Sequence, residues 1–186
     1  MESVFIAGSL SIKNINQVFL SRIDNIINEN LSIIIGDADG VDKSIQEYLF
    51  DKKYEYVTVF HSGSQPRNNI GKWVTQSIVT DFQEGTKKFY TAKDMAMIAS
   101  ASYGLMLWDT KSTGTLKNVI ELVCLNKKST VFINKLTSFQ PVRNLKELEK
   151  LVSYMANGSI EKANQKIALK SRLLDLRAKE IQPNLL

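Results

Sequence analysis

The chain has 186 residues, is 44% hydrophobic and 23% charged, and carries a net charge of +5. This balance suits one globular domain with a sizeable core. A lone cysteine, Cys124, excludes an intramolecular disulfide and a four-cysteine metal site, and reads as a small core residue. No apolar run approaches the roughly 20 residues of a bilayer-spanning helix. The start, Met1-Glu2-Ser3-Val4, lacks the basic stretch of a signal peptide. A cytoplasmic location without a membrane partner is therefore expected.

Ser3–Ala7 is apolar throughout and reads as a buried strand ended by Gly8. Asn14 is placed to cap a helix whose stripe is Ile15, Val18, Phe19, Ile23, Ile26 and Ile27. Leu31–Ile35 is a second strand, closed by Gly36. A helix from about Val41 to Lys52 carries Ile45, Tyr48 and Leu49, and Glu55–His61 is a third strand. In 62–90 the periodicity is weakest. Ser62–Pro66 reads as a loop, Gly71–Thr80 as a short helix, and Asp81–Phe89 fits neither class. Thr91 looks like an N-cap, with Asp94 completing a near capping box, for a helix burying Met95, Ile98 and Ala99. Tyr103–Trp108 is a fourth strand. Gly114–Leu125 is a helix with Leu116, Val119, Ile120 and Val123 inward, Thr130–Ile133 is a fifth strand, and a covering helix lies near Leu145–Met155. The last helix, Ser159–Ile181, carries one stripe through Ile160, Ala163, Ile167 and Leu174 and another through Leu169, Leu173 and Leu176. Two stripes call for two surfaces, the domain and a partner subunit, so a homodimer or higher homo-oligomer is expected.

Alternation of strands with helices predicts an α/β, Rossmann-like three-layer sandwich with a mainly parallel sheet of at least five strands. Residues 1–156 form the expected ligand-binding domain, and 157–186 a basic amphipathic helical extension. Residues 160–186 hold six basic and three acidic side chains, a net +3. A solvated helix face accounts for this; contact with an anionic partner such as nucleic acid is the alternative.

In open parallel sheets, ligands bind where strands end and helices begin. Gly8-Ser9 follows the first strand: glycine permits close approach to the backbone, and Ser9 can donate to phosphate, although a plain turn reads equally well. No G-x-G-x-x-G is present. After the second strand come Gly36, Asp37, Asp39 and Asp42. Asp39 can cap the helix and Asp42 can complement its positive end, which does not account for Asp37; alternatively these acids, Asp37 and Asp39 among them, meet ribose hydroxyls or a divalent cation bridging a bound phosphate, and the helix-start N–H groups after Gly36 hold an anion. After the third strand, His61 reads as structural, Arg67 can make a forked phosphate contact and Asn68 can read a sugar or base edge. Trp108-Asp109-Thr110-Lys111-Ser112-Thr113-Gly114-Thr115 is the most informative stretch. Hydroxyls, a glycine and a lysine at a helix start make an anion site, and Trp108 offers either a flat face for a base or a core side chain.

Phe5-Ile6-Ala7-Gly8-Ser9, Gly36–Asp42, Pro66-Arg67-Asn68, Tyr90-Thr91-Ala92-Lys93-Asp94 and Tyr103–Thr115 together resemble the SLOG superfamily of Rossmann-like proteins (the DprA/LOG-like group), nearest its YspA/YpsA-related branch. The likeness covers residues 3–135. It implies a nucleotide-derived ligand over Gly8, Gly36 and the Gly114-Thr115 turn, and makes homodimers plausible. LOG phosphoribohydrolases carry a catalytic Glu in P-G-G-x-G-T-x-x-E; here Asn118 stands at that position and Glu121 almost one turn further on. An amide cannot act as that carboxylate does. The leading expectation is therefore binding or sensing of a nucleotide-like molecule. The rival is an N-glycosidase, with Asp37, Asp39 or Asp109 as the carboxylate, and a third possibility is a DprA-like association with DNA through Lys166, Lys170, Arg172 and Arg177.

Overall fold

A computed structural model describes residues 1–79, 81–83 and 85–181. The strands are β1 (Ser3–Gly8), β2 (Ser32–Gly36), β3 (Val57–Ser62), β4 (Val74–Ile78), β5 (Tyr103–Trp108), β6 (Lys128–Ile133) and β7 (Ser138–Val142). The helices are α1 (Gln17–Asn28), α2 (Val41–Asp51), α3 (Lys87–Ser100), α4 (Thr113–Cys124), α5 (Leu145–Val152), α6 (Asn157–Ile167) and α7 (Leu169–Ile181). One sheet takes all seven strands in the order β4-β3-β2-β1-β5-β6-β7. Neighbours are parallel except β6 and β7, which are antiparallel.

Successive strand side chains point to opposite faces, and this alternation sorts the core into two halves. On one face Val4, Ile6, Ile33, Ile35, Val57 and Val59 meet Phe19 and Ile23 of α1 and Ile45 and Leu49 of α2. On the other, Phe5, Ile34, Phe60, Met106 and Val131 meet Met97 and Ile98 of α3, Leu116 and Val119 of α4 and Leu148 of α5. Full burial of each such side chain contributes about 1.5–3 kcal/mol. The sheet is thus held through its faces, and its ends are left to polar loops. The α/β sandwich with a mainly parallel sheet is the architecture expected from the sequence. Progression from β1 to β4 runs one way, and the chain then returns to place β5 on the other side of β1. This reversal opens a crevice between the carboxyl ends of β1 and β5.

Five local expectations are corrected. The cap of α1 is Asn16, whose side chain accepts from the Val18 N–H, not Asn14. The segment Gly71–Thr80, expected to be helical, contributes the edge strand β4; Val74, Thr75 and Ile78 are β-branched and favour extended backbone. Thr86, not Thr91, caps α3, which starts one turn early and carries Thr91 inside it. Strand β7 was not anticipated. Its Pro141 removes a ladder donor, which an edge strand tolerates.

The fifth correction concerns the last helix. The C-terminal helix is two helices, broken at Ala168 in the left-handed region (φ 53°). Asn164 stabilises the break, its carbonyl accepting from Ala168 N–H and its side chain from Lys170 N–H. The break turns Ala163 and Ile167 of α6 and Leu169 and Leu176 of α7 onto the same core. Leu174 of the first stripe stays exposed, at 62%. Residues 182–186 of the expected extension lie outside the described residues.

Candidate functional site

The crevice between β1 and β5 holds a cleft of about 500 Å³. Gly8, Asp42, Arg67, Tyr90, Lys93, Asp94, Lys111–Thr115 and Asn118 line it, and α6 adds Lys162 and Lys166.

One wall is the turn from β5 into α4. Asp109 Oδ1 accepts from the N–H groups of Lys111 (2.8 Å) and Ser112 (2.6 Å) and from Ser9 Oγ (3.1 Å), and Oδ2 accepts from Ser11 Oγ (2.6 Å). Burial works to raise the Asp109 pKa, but the bonds from Ser11, Ser112, Lys111 and Ser9 outweigh it and hold the carboxyl below its usual range. Ser112 Oγ caps α4 by accepting from Thr115 N–H (3.3 Å), and Ser9 Oγ lies 3.4 Å from Thr115 Oγ1. Ser9 is wholly buried, so its hydroxyl ties β1 to this turn. Thr113 and Gly114 supply the remaining first-turn N–H groups, which have no intrahelical acceptor. A Cβ built on Gly114 would meet only Ser112 Oγ at 4.0 Å, so the turn is open to a ligand there.

The second wall is the tip of β2. Asp37, 1% exposed, accepts from Arg67 Nε (3.1 Å), Nη2 (2.8 Å) and backbone N–H (3.1 Å), and from Lys93 Nζ (2.6 Å). Burial opposes its ionisation, but the Arg67 hydrogen bonds and the Lys93 charge hold its pKa well below the usual carboxylate range. The Arg67 guanidinium also lies over the Tyr90 ring, 5.0 Å from its centre. Asn68 donates to Asp37 O (2.8 Å) and to Asp39 Oδ1 (3.0 Å), closing the loop over the strand tip. Gly36 gives room to this cluster: a Cβ there would meet Asp42 Oδ2 at 2.5 Å and Lys93 Nζ at 3.2 Å.

Two carboxyl groups on the cleft behave differently. Burial pushes Asp42 up to about 7, with the charges of Asp94 and Asp37 adding and Lys93 opposing. Burial likewise pushes Asp94 up to about 6, against Lys93 and Lys117. Neither forms an ion pair within hydrogen-bonding range among the described residues. These groups can hold or release a proton near neutral pH.

Of the residues anticipated from sequence, Gly8, Arg67, Lys111, Ser112, Gly114 and Thr115 do line the cleft. Ser9, Asp37 and Asp109 sit immediately behind them and brace the two walls. Asp39 and Asn68 hold each other, and Asp39 does not cap α2, whose N-cap is Gly40 at φ 85°. Gly8 serves packing, since a Cβ would strike Val41 Cγ1 at 2.6 Å. Trp108 is fully buried with its indole N–H on Ser112 O (3.0 Å), so its ring offers no face to a base. His61 is buried in β3, outside the cleft lining. Glu121 is committed to Arg172 (2.6 Å), away from the cleft, whereas Asn118 faces into it.

Sequence reasoning gave Asp94 a capping role, read Asp42 as complementing the helix start or meeting a ligand, and placed Lys162 and Lys166 in a basic tail that is solvated or meets an anionic partner. The available signal was spacing: Tyr90, Lys93, Asp94 and Met97 fall at i, i+3, i+4 and i+7 and share one helix face. The basic extension is partly neutralised in place, because Arg172 pairs with Glu121 and Arg177 with Glu149.

Among the described residues, no group of three or more His, Cys, Asp or Glu is placed to hold a metal ion, and no helix is long and apolar enough to cross a membrane. Compared with known proteins, the chain matches no family model, no curated protein and no solved structure.

Proposed function

We propose that the cleft binds a nucleotide or a nucleotide-derived small molecule. One observation carries this reading: the open first turn of α4 at Gly114 faces a cleft with lysines at its rim and protonatable carboxyls inside it. Phosphate takes the N–H groups of Thr113 and Gly114, with Lys111 beside them. The sugar lies toward Asp42 and Asp94, whose carboxyls suit hydroxyl groups, and the base toward Tyr90. The resemblance to SLOG proteins supports the same placement. The test is a thermal-shift panel of nucleosides and nucleotides. A bound ligand at about 100 times its Kd adds about 2.7 kcal/mol to stability. No rise in Tm for any compound rejects the reading.

A second reading, hydrolysis of an N-glycosidic bond, is favoured by the two carboxyls that burial raises toward neutrality. Asp42 or Asp94 would give its proton to the departing base while the other, ionised, stabilises the sugar cation that water captures. Chromatography of ribonucleotides and deoxyribonucleotides incubated with the protein decides it: free base above background, lost in Asp42→Asn and Asp94→Asn, is the expected outcome, and its absence removes this reading.

A further inference from the structure

We infer that the exposed edge strand β4 pairs antiparallel with β4 of a second copy of this chain, joining two seven-stranded sheets across a two-fold axis at Gln76. This inference does not rest on the function proposed for the cleft. Three observations on the edges of the sheet support it.

The first is that β4 is a bare edge. It pairs with β3 on one side only, and Val74, Thr75, Gln76 and Ser77 are all exposed, Val74 at 73%. An edge strand presents N–H and C=O groups without ladder partners, which makes it a template for another strand. The second is that nothing on β4 blunts this edge. Natural edges carry charge, proline or a bulge that turns other strands away. The opposite edge follows that rule: β7 holds Pro141, is followed by Arg143 and has α5 packed against it. By contrast, Trp73–Val79 contains neither a charged residue nor a proline, and its register with β3 runs unbroken from Val74 to Ile78.

The third observation decides the occupant. A two-fold axis through an antiparallel pair sets one residue opposite itself, and centring it on Gln76 overlaps the whole strand. Val74 then meets the partner's Ile78, Thr75 meets the partner's Ser77, and Gln76 meets its own copy. The register with β3 puts Val74, Gln76 and Ile78 on the face of Thr58, Phe60 and Ser62, and Thr75 and Ser77 on the other. Each cross-strand pair is matched on its own face: β-branched with β-branched, hydroxyl with hydroxyl, amide with amide. No like charges meet. One residue beyond, Val79, 92% exposed, comes opposite the partner's Trp73. A five-residue pairing is about 17 Å long and falls below a standard interface of about 1,600 Å², so the dimer is weak and depends on concentration.

Sedimentation velocity on the full chain from about 1 to about 500 µM tests the pairing: the wild type should move from monomer toward dimer, with a Kd of about 10–100 µM. Gln76→Lys sets two like charges opposite each other at the axis and should stay monomeric throughout. Ser138→Lys, on the opposite edge, should associate as the wild type does. Gln76 and Ser138 are exposed, so neither charge is buried, and circular dichroism melts confirm that each variant is folded. Oxidation reads the register. Gln76→Cys should cross-link to its own copy, because residues directly opposite have Cα atoms about 4.5–5.5 Å apart, within disulfide reach. Val74→Cys should not, since its copy lies about 14 Å further along the strand. The wild type controls for Cys124. A wild type that stays monomeric, association surviving in Gln76→Lys, or equal cross-linking at 76 and 74 overturns the inference; the first of these outcomes leaves β4 to a strand of another protein.

Discussion

Two pairs of aspartates border the same cleft and do opposite work. Asp37 and Asp109 lie at strand tips and accept three or more hydrogen bonds each from neighbouring loops. Asp42 lies in the first turn of α2 and Asp94 about two turns into α3, and neither has a cation bonded to it among the described residues. Donors hold the first pair ionised, whereas burial beside like charges raises the second pair toward neutrality. Acids held by several donors act as braces behind the cleft, and the acids that line it are the ones that burial raises.

The largest expected effect is at Asp37. Replacing it with Ala leaves the buried Lys93 ammonium, 4% exposed, without its partner. Urea unfolding should show a loss of about 3–5 kcal/mol; a loss below about 1 kcal/mol would mean that Asp37 is no brace. The native pKa of Asp37 is depressed, so its contribution is present above the unfolded value near 4 and is lost as pH falls through the lower native value. The wild type should accordingly be acid-labile in a way that Asp37→Ala is not.

Asp109→Ala should cost about 1–3 kcal/mol, because two backbone N–H groups and two hydroxyls lose an acceptor while no buried charge is stranded. A cost equal to that at Asp37 would erase the distinction between a charged brace and a hydrogen-bonding one.

The second pair should respond with the opposite sign. A raised native pKa means that the folded protein holds protons which the unfolded chain has released, so stability falls as pH rises from about 4 toward 7. Asp42→Asn removes that penalty. It should stabilise the protein at pH 8 by about 1 kcal/mol or more and flatten the pH dependence of Tm. Destabilisation at pH 8 would place Asp42 with the braces.

The smallest expected effect on stability is at Gly114. Gly114→Ala has open space for its methyl group, so unfolding should change by no more than about 0.5 kcal/mol. The Tm rise from nucleotide should nevertheless shrink, since the methyl group stands where phosphate would approach. An undiminished rise would move the phosphate away from α4.

Much of the fold was legible because it depends on period and burial. Continuous apolar runs at Ser3–Ala7, Leu31–Ile35 and Tyr103–Trp108 marked strands covered on both faces, and Phe19, Ile23 and Ile26 marked the buried stripe of α1. The edges were not legible. Strand β4 is exposed along almost its whole length, so no burial pattern separates it from a polar helix, and β7 is interrupted by Pro141. Ala168 adopts a left-handed conformation with no glycine to announce it.

The sequence by itself determined that strands alternate with helices, that the sheet is mainly parallel, and that the turn Asp109–Thr115 opens a helix rich in hydroxyls. These are local consequences of side-chain type and spacing. Only the tertiary structure decided which acids keep their protons, that Trp108 is core, and that α6 brings its lysines to the cleft. Each of those depends on groups far apart in sequence: Asp37 and Lys93 are separated by 56 residues, and Arg172 and Glu121 by 51. Charge and desolvation act through space, and the order of residues along the chain does not record those distances.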